Sequence, residues 1–236
     1  MTPRMIFEGS EFFVLEKPSG WITNSAKTTG IQPVVENWIA ENFQFSILNF
    51  QELRHGIVHR LDKETSGILL VAKTRIAFEE LQRQFKERLV SKTYIALVHG
   101  NVDPPEGEIN EPVGRLPWRR DRFGVLADGR EATTEYKVLS YMLYGDEQLT
   151  LLEIKPKTGR THQIRIHLKH IGHPIVADEF YAGRKTARKD RKWCSRLFLH
   201  AGGISFIHPT SKKKVIFKAE LPSDLRTSLE QLTVLA

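Results

Sequence analysis

The chain has 236 residues, enough for one large domain or two small ones, with 40% apolar and 27% charged residues, the usage of a globular protein rather than a disordered or fibrous one. Lys and Arg outnumber Asp and Glu by 35 to 28, a formal net charge of +7, which points to a polyanionic partner: nucleic acid or an anionic membrane surface. The longest apolar run, "GILLVA" at 67–72, is far short of the roughly 18 residues of a membrane span, no signal-peptide pattern opens the chain, and the one cysteine, Cys194, excludes an intrachain disulfide and an all-cysteine zinc site. These features predict a single cytoplasmic domain over residues 1–236, with Cys194 as a small buried hydrophobe.

The opening "MIFEGSEFFVLEKPSG" reads as two short apolar strands turning at Gly9-Ser10, with a second turn at Pro18-Ser19-Gly20. A helix follows over "IQPVVENWIAENF", with Val34, Val35, Trp38 and Ile39 at helical spacing and Pro33 in the first turn. "GILLVAKT" reads as a buried strand, and "RIAFEELQRQFKERL" sets Phe78, Leu81, Phe85 and Leu89 on one helical face. "KTYIALVHG" at 92–100 alternates as a strand and runs into a Pro- and Gly-rich loop, "NVDPPEGEINEPVG". Residues 115–130 carry five arginines without apolar periodicity, a basic excursion from the core.

Strands resume at "EATTEYKVLSYM" and "QLTLLEIKP", and "RTHQIRIHLKHIG" places Ile164, Leu168 and Ile171 at helical spacing after a turn at Gly159. "GRKTARKDRK" at 183–192 holds six basic residues in ten and is either a mobile solvated loop or an ordered binding element. "LFLHAGGISFIHP" and "KKKVIFKAELP" read as closing strands, and Ser223 is placed to cap a last helix carrying Leu225, Leu229 and Leu232. Strands and helices are interspersed without regular alternation, and no repeat divides the chain. The expected class is α+β with a largely antiparallel sheet.

Several chemistries lack their signals. No Gly-Lys pair exists to build a phosphate-cradling loop, and Gly-x-Gly-x-x-Gly, Gly-x-Ser-x-Gly and His-Glu-x-x-His are all absent. His162, His167, His170 and His173 form the one suggestive metal cluster, but without the spacing or acidic partner of a defined site, polar surface or RNA contact accounts for them better. Three polar segments with apolar flanks remain: "VHRLDKETSG", "SKTYIALVHG" and "GRTHQIRIHLKHIGHPIVAD".

Taken in order with "FVLEKPSG" before them and "LFLHAGGISFIHP" after, these blocks resemble the RluA-type RNA pseudouridine synthase family over nearly the whole chain. The resemblance implies the pseudouridine synthase fold, a central mostly antiparallel mixed sheet flanked by helices and basic loops. It also implies an isomerase that detaches uracil from its ribose in structured RNA, rotates it and rejoins it through carbon five, with no metal or organic cofactor. Residue by residue, it makes Asp62 the catalytic carboxylate, Arg165 its ion-pair partner and Tyr94 the residue against the uracil ring. Arg60 would fill the space left by the flipped nucleotide, His59 would position the loop, Ile164 would form an apolar wall, and Arg160 would join the substrate contacts.

Physical chemistry is compatible with these roles: burial raises an aspartate's pKa and an adjacent arginine opposes the shift, so a pair keeps the carboxylate anionic when dry. On spacing alone the pair reads rather as a buried salt bridge holding two segments together, and Tyr94 as an ordinary strand aromatic; the surrounding motifs of the resemblance reverse that preference. The substrate would be large-subunit ribosomal RNA or tRNA, with no membrane and no obligate protein partner; the alternative is a non-catalytic RNA-binding or folding factor on the same scaffold. The chain departs from the family pattern at Glu16, Asn24-Ser25 and Ala177, where asparagine, His-Pro and glycine are usual. The resemblance leads to the expectation that the small RNA-binding domain preceding the catalytic domain in many relatives has no room in this sequence, which would leave target choice to the catalytic domain and its loops.

Overall fold

The computed structural model describes residues 2–26, 29–43, 53–117, 119 and 121–235. In chain order it contains strands β1 (Arg4–Glu8) and β2 (Phe12–Lys17), helix α1 (Val35–Asn42), strand β3 (Ser66–Ala72), helix α2 (Arg75–Lys86), and strands β4 (Ser91–His99), β5 (Glu106–Asn110), β6 (Val113–Arg115), β7 (Phe123–Val125), β8 (Thr133–Tyr144) and β9 (Glu147–Pro156). Helices α3 (Gln163–His170) and α4 (Arg184–Asp190), strands β10 (Leu199–Ile207) and β11 (Lys214–Lys218), helix α5 (Ser223–Glu230) and strand β12 (Thr233–Val234) complete it. The chain forms two compact units, Met1–Lys92 with Ala201–Ala219, and Thr93–His200 with Glu220–Ala236.

In the first unit β1 and β2 form the predicted hairpin, closed by Gly9 N–H to Phe12 O at 2.9 Å. β2 pairs antiparallel with β3 from Phe12↔Ala72 to Lys17↔Gly67, and β10 pairs antiparallel with β11. Because successive side chains in a strand point to opposite faces, the continuous apolar runs of β2 and β3 build two cores. Phe12, Val14, Ile68, Leu70 and Ala72 pack with Ala77, Phe78 and Leu81 of α2 and with Ile204 and Phe206. Phe13, Leu15, Leu69 and Val71 pack with Val35 and Ile39 of α1 and with Ile57.

Two sequence expectations shift here. α1 starts after Pro33 rather than over it, because Val34 stays extended and bridges Ile22 while the Pro33 carbonyl accepts from Ile22 N–H at 3.0 Å. Leu89 is exposed rather than on the buried face of α2: the chain leaves the helix through Arg88 in the left-handed region, and Leu89 N–H returns to Gln84 O at 2.9 Å.

In the second unit β9 lies between β4 and β8, all antiparallel, and β5 and β12 pair antiparallel with β8. The predicted loop after β4 therefore contains a strand. In β5 only Ile109 is buried, and Pro104, Pro105 and Gly107 around it hide the alternation. The basic excursion is a hairpin, with β6 pairing β7. "GRKTARKDRK" is ordered, with α4 burying Ala187 and Asp190 while its basic side chains stay exposed. Ser223 is not a cap but the first residue of α5, with Pro222 at the cap position and no side-chain bond there. Cys194 is buried, as its residue type suggests, and burial pushes its thiol pKa up. The class is α+β with mostly antiparallel pairing, as predicted, and no helix of the described residues is long and apolar enough to cross a membrane.

Candidate active site

In the first unit, "HRLDKETSG" runs from a short 3-10 turn at Arg54–Gly56 into β3, and its backbone is tied down on both sides of Asp62. Thr23 Oγ1 donates to Leu61 O at 2.8 Å and accepts from Leu61 N–H at 3.2 Å. Lys63 O accepts from Gly20 N–H at 2.8 Å and from Lys17 Nζ at 3.2 Å, and Ser19 Oγ donates to Glu64 O at 2.7 Å. Thr65 N–H closes a turn onto Asp62 O at 3.2 Å. Lys17 is fully buried, and its ammonium also reaches Pro18 O at 3.1 Å and Trp21 O at 2.8 Å, so three carbonyls replace the water it lost.

The loop ends at Gly67, where φ is +122° and an added Cβ would lie 2.3 Å from Ala201 O; only glycine permits this approach of two backbones. Asp62 is thus partly buried on a fixed backbone, next but one to the exposed Arg60. His59 accepts from Leu70 N–H at Nε2, 2.9 Å, and its ring stacks on Phe85 at 5.0 Å. Burial, and then the charge of Lys92, lowers its pKa to about 3. The Nε2 lone pair of His59 is thus committed to the β3 backbone.

In the second unit, Tyr94 is buried on β4 opposite Ile154 of β9. The turn before α3 is built around Gln163. Its Oε1 accepts from Thr158 Oγ1 at 2.6 Å and Arg160 N–H at 3.0 Å, and its amide donates to Thr133 O at 3.0 Å and Thr134 Oγ1 at 2.9 Å. Ile164 and Arg165, on the first turn of α3, are both buried, whereas Arg160 is partly exposed and donates through Nε to Glu131 O at 3.0 Å.

Arg165 makes a bidentate pair with Asp178, Nε to Oδ2 and Nη2 to Oδ1, each at 2.8 Å. Asp178 Oδ1 also accepts from Phe180 and Tyr181 N–H at 3.0 and 3.1 Å, and the Arg165 guanidinium lies 5.2 Å from the Tyr181 ring centroid and 5.5 Å from that of Phe180. Asp178 is the residue that sequence reasoning missed. The signal was an acidic residue closing the apolar run "HPIVAD", at the end of the block that holds Arg165.

The four clustered histidines each contact other protein groups. His162 Nδ1 meets Tyr181 OH at 2.9 Å, His167 bridges Thr134 Oγ1 and Glu111 O at 2.9 Å each, His173 Nδ1 meets His99 O at 2.8 Å, and His170 lies 3.8 Å from the Glu111 carboxylate. Among the described residues, the group that brings three metal-ligating side chains together is instead His99, Glu147 and Asp190. Both nitrogens of His99 are already engaged there, Nδ1 with Glu147 at 2.7 Å and Nε2 with Asp190 at 3.2 Å. Burial lowers the imidazole pKa, and the two carboxylates, Asp190 first, outweigh burial and raise it. Asp190 Oδ2 also accepts from Ala177 N–H at 2.7 Å, holding Ala177 at φ +60°. That left-handed conformation is one that glycine adopts without the Cβ penalty alanine carries here.

Basic side chains mark two elements of this unit. Six exposed Lys and Arg residues lie on and beside α4, and in the β6–β7 hairpin Arg115 lies 4.8 Å over the Phe123 ring while Arg122, just before β7, lies 5.0 Å over the Phe180 ring.

The family model described as RNA pseudouridylate synthase matches residues 11–170, which include the Asp62 loop, Tyr94 and Arg165. The chain belongs to the RNA pseudouridine synthase family, isomerases that act on RNA, and has the pseudouridine synthase fold. Among curated relatives it is 37% identical over 226 residues to the uncharacterized RNA pseudouridine synthase YlyB of Bacillus subtilis, covering 96% of this chain and 71% of the relative. It is 42% identical over 217 residues to an uncharacterized RNA pseudouridine synthase of Chloroflexus aurantiacus, covering 92% and 65%. It is 34% identical over 236 residues to the ribosomal large subunit pseudouridine synthase D of Nitrosomonas europaea, covering 97% and 65%. The chain thus spans about two thirds of the length of these relatives. The solved structure of human RNA pseudouridylate synthase domain containing 1 matches with a TM-score of 0.76 at 26% identity, covering 99% of this chain and 89% of that one.

Proposed function

We propose that both units serve one catalytic domain in which Asp62 is the essential carboxylate, Arg165 its ionic partner and Tyr94 the group against the uracil ring. The reaction breaks the bond from the ribose anomeric carbon to N1 of uracil and forms one to C5; the C5 proton is lost and N1 gains a proton. A carboxylate beside the sugar or the ring assists the first bond change, and a phenol hydroxyl at the rotated base is a suitable acceptor for the C5 proton. Taking the nucleotide out of its stack costs a few kcal/mol, which Arg60 offsets by filling the vacated space with a planar cation. His59 positions the loop, Ile164 forms an apolar wall, and Arg160, the β6–β7 hairpin and α4 hold phosphates.

The observation that carries this reading is Asp62 itself, on a loop whose flanking backbone is fixed at residues 61, 63 and 64 and beside an exposed arginine. A nucleophile or base on a rigid loop is preorganised, and an exposed guanidinium next to it is ready for RNA. The substrate we favour is large-subunit ribosomal RNA in the cytoplasm, because relatives carry that substrate in their names; tRNA is the second choice, and no obligate protein partner is invoked.

The test is Asp62→Asn assayed on an unmodified transcript of the host's large-subunit ribosomal RNA and on unmodified tRNA. Pseudouridine formation is expected to vanish while RNA binding is retained, and the wild type should leave RNA mass unchanged and release no uracil. Undiminished turnover by D62N eliminates the assignment. A pseudouridine map of host RNA with and without the gene names the site.

A further inference from the structure

We infer that Thr23 is a positioning residue for the reaction: its hydroxyl sets the backbone on which Asp62 stands. The inference rests on the proposed role of Asp62. Thr23 lies 38 positions before Leu61 and is 2% exposed. Its hydroxyl hydrogen goes to Leu61 O at 2.8 Å and its lone pair receives Leu61 N–H at 3.2 Å, so one side chain satisfies both backbone polar groups of Leu61, the residue preceding Asp62. Such a reciprocal pair fixes position and rotation together, as a strand partner does, yet here it is made by an atom that a single substitution removes.

Thr23 is itself held from behind. Its carbonyl accepts from Glu36 N–H at 3.1 Å, and Val35 N–H bonds Ile22 O at 2.8 Å, so the free amides of the first turn of α1 grip the 22–23 backbone. A continuous path of hydrogen bonds therefore runs from α1 through Thr23 to the residue before Asp62. On the other side, Lys17, Ser19 and Gly20 hold residues 63 and 64. The Thr23 contact is the only one of these reaching Leu61 among the bonds described, and valine fits its volume while offering neither donor nor acceptor.

The test compares Thr23→Val, Thr23→Ser and Thr23→Ala on a transcript that the wild type modifies, with amide hydrogen exchange read at Leu61. Displacement of a catalytic group by the order of an ångström costs about a hundredfold in rate. T23V and T23A should lose roughly tenfold to a hundredfold in kcat with KM and RNA affinity unchanged, and Leu61 exchange should quicken in both. T23S, which keeps the hydroxyl, should stay close to the wild type in rate and in protection. Because T23A relieves any crowding that valine introduces, poor folding of one variant does not decide the outcome.

Wild-type kcat in T23V and T23A overturns the inference, as does a T23S variant as slow as T23V, because serine keeps the hydroxyl to which the effect is assigned. D62N run in parallel separates the two claims. Inactive D62N with fully active T23V overturns the role of Thr23 alone, whereas active D62N overturns the role of Asp62 and that of Thr23 with it.

Discussion

His59 shows how one residue's surroundings choose its chemistry. In water an imidazole titrates near 6.5, whereas here burial and Lys92 lower it to about 3, and its Nε2 is occupied by Leu70 N–H. The folded chain therefore binds fewer protons than the unfolded chain between these values. The stability His59 contributes is complete above about 6.5 and is lost as pH falls toward 3, at up to about 1.4 kcal/mol per unit. Denaturant unfolding of the wild type and His59→Asn between pH 7 and 4 should show the wild type losing more stability than the variant over that interval. Parallel losses would contradict a neutral, partly buried His59. Asp178 makes the complementary point: it was legible as an acidic residue in the right block, but its partnership with Arg165 is a contact across thirteen positions that no periodicity records.

At the scale of elements, the apolar runs were the easiest to read. β2 and β3 are buried on both faces, so their sequences are unbroken apolar stretches, while α2 shows both its amphipathic spacing and its cap, Thr74 Oγ1 accepting from Ala77 N–H at 3.1 Å. β5, β6 and β7 were hidden because short edge strands with prolines and glycines resemble loops. The α4 segment reads from sequence as either a mobile solvated loop or an ordered binding element, and its helix is hidden because a run of charges carries little apolar period. Its exposed cations lead to a prediction: a variant with Lys185, Arg188 and Lys189 changed to Gln should show a shallower salt dependence of RNA binding. The slope of log affinity against log salt should fall by about 0.7 for each lost phosphate contact to single-stranded RNA. An unchanged slope removes α4 from the RNA footprint.

For the whole molecule the net charge of +7 gives a further expectation. An RNA-binding surface of this kind releases counterions, so affinity of the wild-type protein should fall steeply between about 50 and 200 mM salt. Filter binding or fluorescence anisotropy with the unmodified ribosomal transcript checks it, and a nearly flat dependence would exclude the electrostatic footprint. The residues of the proposed site are divided: Asp62 and Arg60 belong to the first unit, while Tyr94, Arg165 and the α4 cations belong to the second. Composition announced the partner's charge without saying which segments present it.

By itself, "VHRLDKETSG" with the blocks around it determined the family, the α+β class and the candidate site residues, because motif order and the spacing of apolar residues are properties of a linear chain. Only the tertiary structure decided what holds those residues in place. Thr23 on Leu61, Lys17 on Lys63, His59 under Leu70 and Asp178 on Arg165 are bonds from side chains to backbone or charge at a distance in sequence. Buried polar groups must find partners wherever the fold places them, so such bonds leave no repeat and no composition to read.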